Sequence, residues 1–116
     1  MFRFEELEIW KLAIGYADEV YDLAEKLPTS ERYNLTDHLK RAALSIPNNI
    51  AEGSGMTTKK SFSSFLDTSI GSTFETVNIL HFAKRRRYIA EEDRAYFYNK
   101  AEVLVKKTRA FKNTLK

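Results

Sequence analysis

Residues Arg41 to Gly53 read RAALSIPNNIAEG, and the way this stretch folds decides how the rest of the chain packs. Ala42, Ala43, Ile46 and Ile50 recur at three- and four-residue spacing, one stripe of an α-helix. Pro47 sits inside the stripe. In a helix interior it removes one donor and collides with the carbonyl of Ala43, at a cost of about 3 kcal/mol. The chain can kink and continue, or break and restart with Ser45 as a cap. Ile46 and Ile50 stay in phase across the proline, which favours one kinked helix. Leu35 and Leu39 extend the stripe backwards, with Asn34 as N-cap and Asp37 in the first turn. Gly53 is placed as a left-handed C-terminal stop. The spacing therefore predicts a helix over 35–53.

Three more helices follow from the flanking sequence. Over 5–26 two stripes run side by side: Leu7, Trp10, Ile14, Ala17, Tyr21 and Ala24, then Ile9, Ala13, Tyr16, Val20, Leu23 and Leu27. Together they cover about half the helix circumference, as a helix with two or more neighbours needs. Pro28 ends it. Over 58–87, Phe62, Leu66, Ser69, Thr73, Thr76, Leu80 and Ala83 keep heptad spacing, and Phe65, Ile70, Phe74 and Val77 widen the face. Gly71 in mid-helix costs about 1 kcal/mol against alanine, which points to a packing reason. Over 91–115, Phe97, Ala101, Leu104, Thr108, Phe111 and Leu115 form the stripe behind an acidic first turn. Short connections make consecutive helices antiparallel neighbours, and the spacing predicts left-handed packing. The expected fold is all-α: one domain, a left-handed up-down-up-down antiparallel four-helix bundle.

The chain has 116 residues and no cysteine, so disulfides, thiolate chemistry and cysteine-ligated metals are excluded. No apolar run approaches the roughly 20 residues of a membrane span, and the acidic N-terminus does not read as a signal peptide. A cytoplasmic protein without a membrane partner is expected. Net charge is only +3, but residues 1–33 hold four basic and eight acidic side chains, and residues 84–116 hold eleven and four. The positive excess thus lies in the last third. It can mark an anionic partner or simply a solvated face opposite an acidic helix.

No catalytic or metal-binding residue and no cofactor is expected. Bundle di-metal sites use Glu-x-x-His pairs. Here Leu35 precedes His38 by three and Asn78 precedes His81 by three. The cationic set Lys84, Arg85, Arg86, Arg87, Lys106, Lys107, Arg109 and Lys112 is the candidate nucleic-acid surface, since phosphate-backbone contact needs charge distributed along a surface. Arg41, Ser45, Asn49 and Glu52 line a second face of the proline-containing helix. They are expected to fasten helices or subunits together.

The chain resembles the 23S rRNA intervening-sequence protein family, small bacterial four-helix bundles. The likeness rests most on Arg41-Ala-Ala-x-Ser-Ile-Pro-x-Asn-Ile-Ala-Glu-Gly53. Leu7-x-x-Trp10, Leu35-Thr36, Gly71-Ser72 and Glu75 support it. The resemblance implies a ring-like homopentamer, a helix continuous through Pro47, and no catalytic residues. Some members are encoded within insertions in the 23S rRNA gene, whence the ribosomal-protein label used for some of them. Relatives in diversity-generating retroelements bind a reverse transcriptase and nucleic acid. The expected function is a non-enzymatic homo-oligomeric scaffold that contacts RNA or DNA, or a nucleoprotein partner such as a reverse transcriptase. The alternative is an assembly module with no nucleic-acid role.

Overall fold

The computed structural model describes residues Met1–Lys116 and is all-α, with four helices and no strand. They are α1 (Glu8–Ala24), α2 (Leu35–Ser54), α3 (Lys59–Arg85) and α4 (Glu91–Asn113), with turns of 3-10 helix at Arg3–Glu6 and Thr29–Glu31. Each helix packs on its neighbours in sequence, and α1 also packs on α4. The backbones of the diagonal pairs, α1 with α3 and α2 with α4, stay apart. One apolar core runs through all four helices.

The first helix starts later than its periodicity predicts. Leu7 is extended at φ −78°, ψ 128°, so Glu5 and Glu6 lie in a separate 3-10 turn. This turn folds back on the bundle: the Phe4 ring meets Trp10 edge-on at 5.1 Å, and Arg3 sits 5.3 Å above Phe62. Of the two stripes on α1, Ile9, Ala13, Tyr16, Val20, Leu23 and Leu27 are all buried, whereas Ile14 from the other stripe is exposed.

Helix α2 passes through Pro47 without interruption. Proline takes away the donor owed to the Ala43 carbonyl, and the neighbouring helix secures the region from outside. The Ser69 hydroxyl of α3 donates to the Ile46 carbonyl at 3.0 Å. Asn34 holds the N-cap position, but its side chain donates to Glu31 rather than capping. Gly53 corrects a further expectation. It is helical, not left-handed, and α2 ends at Ser54. Glycine is required there for space: a Cβ on Gly53 would lie 2.8 Å from both Phe65 Cβ and Phe62 Cδ1 of α3. Gly71 departs in the opposite sense, for a Cβ there meets nothing within 4 Å.

The hydroxyl-rich middle of α3 is buried and fully paired. Thr73 donates to the Ser69 carbonyl at 3.0 Å, and Thr76 donates to the Thr73 carbonyl at 2.7 Å. Tyr16 reaches across the core diagonal to Thr76 Oγ1 at 2.8 Å. Thr76 spends its only proton on the Thr73 carbonyl, so the phenol is the donor. No buried side-chain polar atom lacks a partner.

The corner after α3 ends in a Schellman motif. Tyr88 N–H donates to the Ala83 carbonyl and Arg87 N–H to the Lys84 carbonyl, both at 2.9 Å. This geometry places Arg87 at φ 64°, the one non-glycine residue with positive φ. A side chain there costs about 1–2 kcal/mol, and glycine relieves it. Arg87→Gly is therefore expected to raise the melting temperature by several degrees, measured by circular dichroism at fixed protein concentration. An unchanged or lowered value would contradict the strain assigned to this corner. Helix α4 then opens on Glu91, whose carboxylate hydrogen-bonds Arg94, and this bond holds its pKa down to about 2. The Ala90 N–H donates to Asp93 in the same first turn.

Candidate nucleic-acid interface

The eight cations of the last third do not form one surface. Three are tied to carboxylates of the same chain: Lys84 to Glu91 at 3.6 Å, Lys107 to Glu8 at 2.9 Å and Lys112 to Asp67 at 2.7 Å. Lys107 thereby faces α1, away from the α3–α4 seam. Arg85, Arg86, Arg87, Lys106 and Arg109 are exposed and enter none of the chain's ion pairs. Arg86 lies 5.7 Å above the Tyr88 ring, which steadies it at the corner. Arg85 and Arg87 have no such contact. Of these eight, the unpaired ones thus lie at the α3–α4 corner and, as Lys106 and Arg109, along the seam.

The acidic first third supplies part of the pairing. Helix α1 lies against α4, so Glu8 meets Lys107, and Glu19 meets Lys100 at 2.9 Å. The Tyr96 hydroxyl also donates to Glu19, and these two hydrogen bonds hold the Glu19 carboxyl below its usual range. Two of the eight acids of the first third are therefore matched by cations of the last third along one helix seam.

Between α3 and α4 an open groove of about 640 Å³ remains. Phe74 and Tyr98 line it with Val77 and Val105, and Lys106 and Arg109 stand on its α4 side. Phe74 is 56% exposed, so it does not widen the core face as its spacing predicts. It turns outward beneath the Arg109 guanidinium, 5.7 Å away. Tyr98 meets His81 edge-on at 5.9 Å and carries Arg94 5.5 Å above its ring. Sequence reasoning missed this groove. The available signal was Phe74 falling off the heptad next to the small residues Gly71 and Ser72.

The polar face of α2 divides. Ser45 Oγ bonds Ser72 Oγ of α3 at 2.8 Å, and Asn49 Nδ2 donates to Ser45 Oγ at 2.9 Å and to the Ser45 carbonyl at 2.8 Å. Arg41 and Glu52 are exposed instead. Arg41 pairs with Asp37 one turn back at 3.3 Å, and Glu52 enters no ion pair. A further α2–α3 tie, the His38–Glu75 pair, was not foreseen. No group of three His, Asp or Glu side chains is placed to hold a metal ion. No helix is long and apolar enough to cross a membrane.

Compared with models of protein families, residues 5–110 match the 23S rRNA-intervening sequence protein model. No curated protein matches the chain.

Proposed function

Since the chain belongs to the 23S rRNA-intervening sequence protein family, we propose that it is a non-enzymatic, single-domain scaffold that self-associates and contacts nucleic acid through the free cations of α3 and α4. The observation carrying this reading is the cluster of exposed cations on one helix pair: Arg85, Arg86, Arg87, Lys106 and Arg109 of α3, its corner and α4 enter no ion pair with a carboxylate of the chain. Phosphate-backbone contact uses unmatched, distributed charge of this kind.

The underlying bundle is read as up-down-up-down and left-handed. Its helix directions rest on contacts whose numbers fall along one helix as they rise along the next: His38 with Glu75 and Ser45 with Ser72, Lys84 with Glu91 and Asp67 with Lys112, Glu8 with Lys107 and Glu19 with Lys100. Heptad spacing in α3 supports the handedness.

Self-association is supported by the outer side of α1. Leu12 and Ile14 are exposed around Gly15, with Leu44 of α2 also exposed nearby and Val103 of α4 across the other seam. A Cβ on Gly15 meets nothing within 4 Å, so nothing in this chain uses the close approach that glycine permits. A ring of five copies at +3 each would carry about +15, and repeated weak phosphate contacts would gain avidity.

The test is fluorescence anisotropy with labelled RNA across a salt series, with mass measured by light scattering. Affinity is expected to fall steeply with salt. Arg85→Ala with Arg87→Ala should flatten the log–log slope by about 1.4, at roughly 0.7 per phosphate contact on single strands. Salt-insensitive or undetectable binding by the intact assembly would leave the apolar side of α1 as the functional surface. The protein would then be an assembly module alone.

A further inference from the structure

We propose that the groove between α3 and α4 is a base-stacking site for single-stranded nucleic acid. Phe74 and Tyr98 are its stacking surfaces, and Lys106 and Arg109 are its contacts to the sugar–phosphate chain. The inference rests on the nucleic-acid reading above and adds what that reading lacks, a contact to bases and hence a choice of strand state.

Three features converge on it. The first is aromatic exposure, at Phe74 in a position where the core pattern called for burial. Phe74 is 56% exposed and Tyr98 36% exposed, and both line one groove. Exposing rings costs hydrophobic free energy that a partner recovers when it covers them. The second is the chemistry beside the rings. Lys106 and Arg109 are without carboxylate partners, and Arg109 already packs on Phe74 at 5.7 Å. Glu102 is the single acid on the groove wall, so the charge of the wall is net positive. The third is the presence of donors and acceptors at the same place. Asn78 and His81 are exposed on the groove side of α3, where they can meet the edge of an inserted base.

The strand state follows from geometry. In a duplex the base faces are covered by their neighbours, so exposed protein rings have nothing to stack on. An unpaired strand offers a free π-face on every base, and cations beside the rings track its backbone. The groove volume, about 640 Å³, lies within the range of roughly 300–1,000 Å³ found for small-molecule sites, enough for inserted bases. A second copy of this chain is the competing occupant. Two cations set beside two exposed rings favour nucleic acid, whose single strand alternates phosphates with stackable base faces.

The experiment compares a mixed-sequence single-stranded RNA with an RNA duplex of equal length, by anisotropy, using the full chain. Wild type is expected to bind the single strand more tightly. Phe74→Ala with Tyr98→Ala should weaken single-strand binding about 5- to 150-fold per lost stacked base. The salt slope should not move, since no phosphate contact is lost. Duplex binding, oligomer mass and melting temperature should hold, and Phe74→Trp should bind as wild type does. Lys106→Ala with Arg109→Ala should instead lower the salt slope. Unchanged single-strand affinity in the aromatic variant would overturn the groove while leaving the backbone-contact reading intact. Equal losses on duplex and single strand would also overturn it, as would a changed oligomer mass, which would make the groove a contact between copies. If wild type binds neither RNA, both readings fall together.

Discussion

Replacing Gly53 with alanine is expected to destabilise the protein by about 1–3 kcal/mol, the cost of forcing extra atoms into a packed core. The added methyl would lie 2.8 Å from Phe65 Cβ and from Phe62 Cδ1. The Phe62 ring can turn a little. Phe65 Cβ cannot, because it is fixed to the α3 backbone, so the two helices must move apart. That separation reaches Ile50 and Leu66, both fully buried in the core. Gly71→Ala is the matched control. Its Cβ meets nothing within 4 Å, so the helix-propensity term acts alone and should stabilise by up to about 1 kcal/mol. Urea denaturation at one protein concentration reads both, since association would otherwise shift the apparent stability. Two substitutions of the same chemistry are thus expected to act with opposite sign. If Gly53→Ala is neutral, the close α2–α3 approach is wrong. If Gly71→Ala destabilises, Gly71 serves a contact outside the chain.

The second large effect concerns Tyr16 and Thr76. Thr76→Val keeps the shape but leaves the buried phenol without an acceptor, at an expected cost of about 1–3 kcal/mol. Tyr16→Phe removes the hydroxyl and leaves Thr76 still bonded to the Thr73 carbonyl at 2.7 Å, so it should cost less. The double variant should cost less than the sum of the two, because no buried group is then orphaned. An additive cycle would show that the 2.8 Å contact carries no coupling.

Alkaline pH probes the same pair. Burial pushes the Tyr16 phenol up from 10.0 to about 12. Between these values the unfolded chain has lost a proton that the folded one still holds, so stability falls as pH rises. The contribution is fully present below pH 10 and is lost through about 12. The loss is about 2–3 kcal/mol at 1.36 kcal/mol per pH unit. Tyr16→Phe should flatten the stability profile over that window, and an unchanged alkaline limb would argue against a buried, neutral Tyr16.

Much of the architecture was legible because periodicity and punctuation are local. Ile46 and Ile50 keep phase across Pro47, and α2 is continuous there. The stripe from Phe97 to Thr108 is buried as its spacing predicts. The acids Glu91, Glu92 and Asp93 mark the start of α4. How far a broad apolar face is covered was not legible in the same way. Both stripes of α1 were read as core, and the neighbours on each side left Ile14 outside it while Ala17 and Ala24 of the same stripe are buried. The candidate interface was legible only as a pool of charge. Which cations remain free depends on carboxylates up to 99 residues away, as with Lys107 and Glu8.

Sequence alone determined four helices, their approximate limits and the position of the basic excess, since each depends on residues within a few turns. Tertiary structure decided why Gly53 is glycine, which face Phe74 presents and which arginines are unpaired. These depend on distances between side chains on different helices, and no spacing along a single helix encodes such a distance.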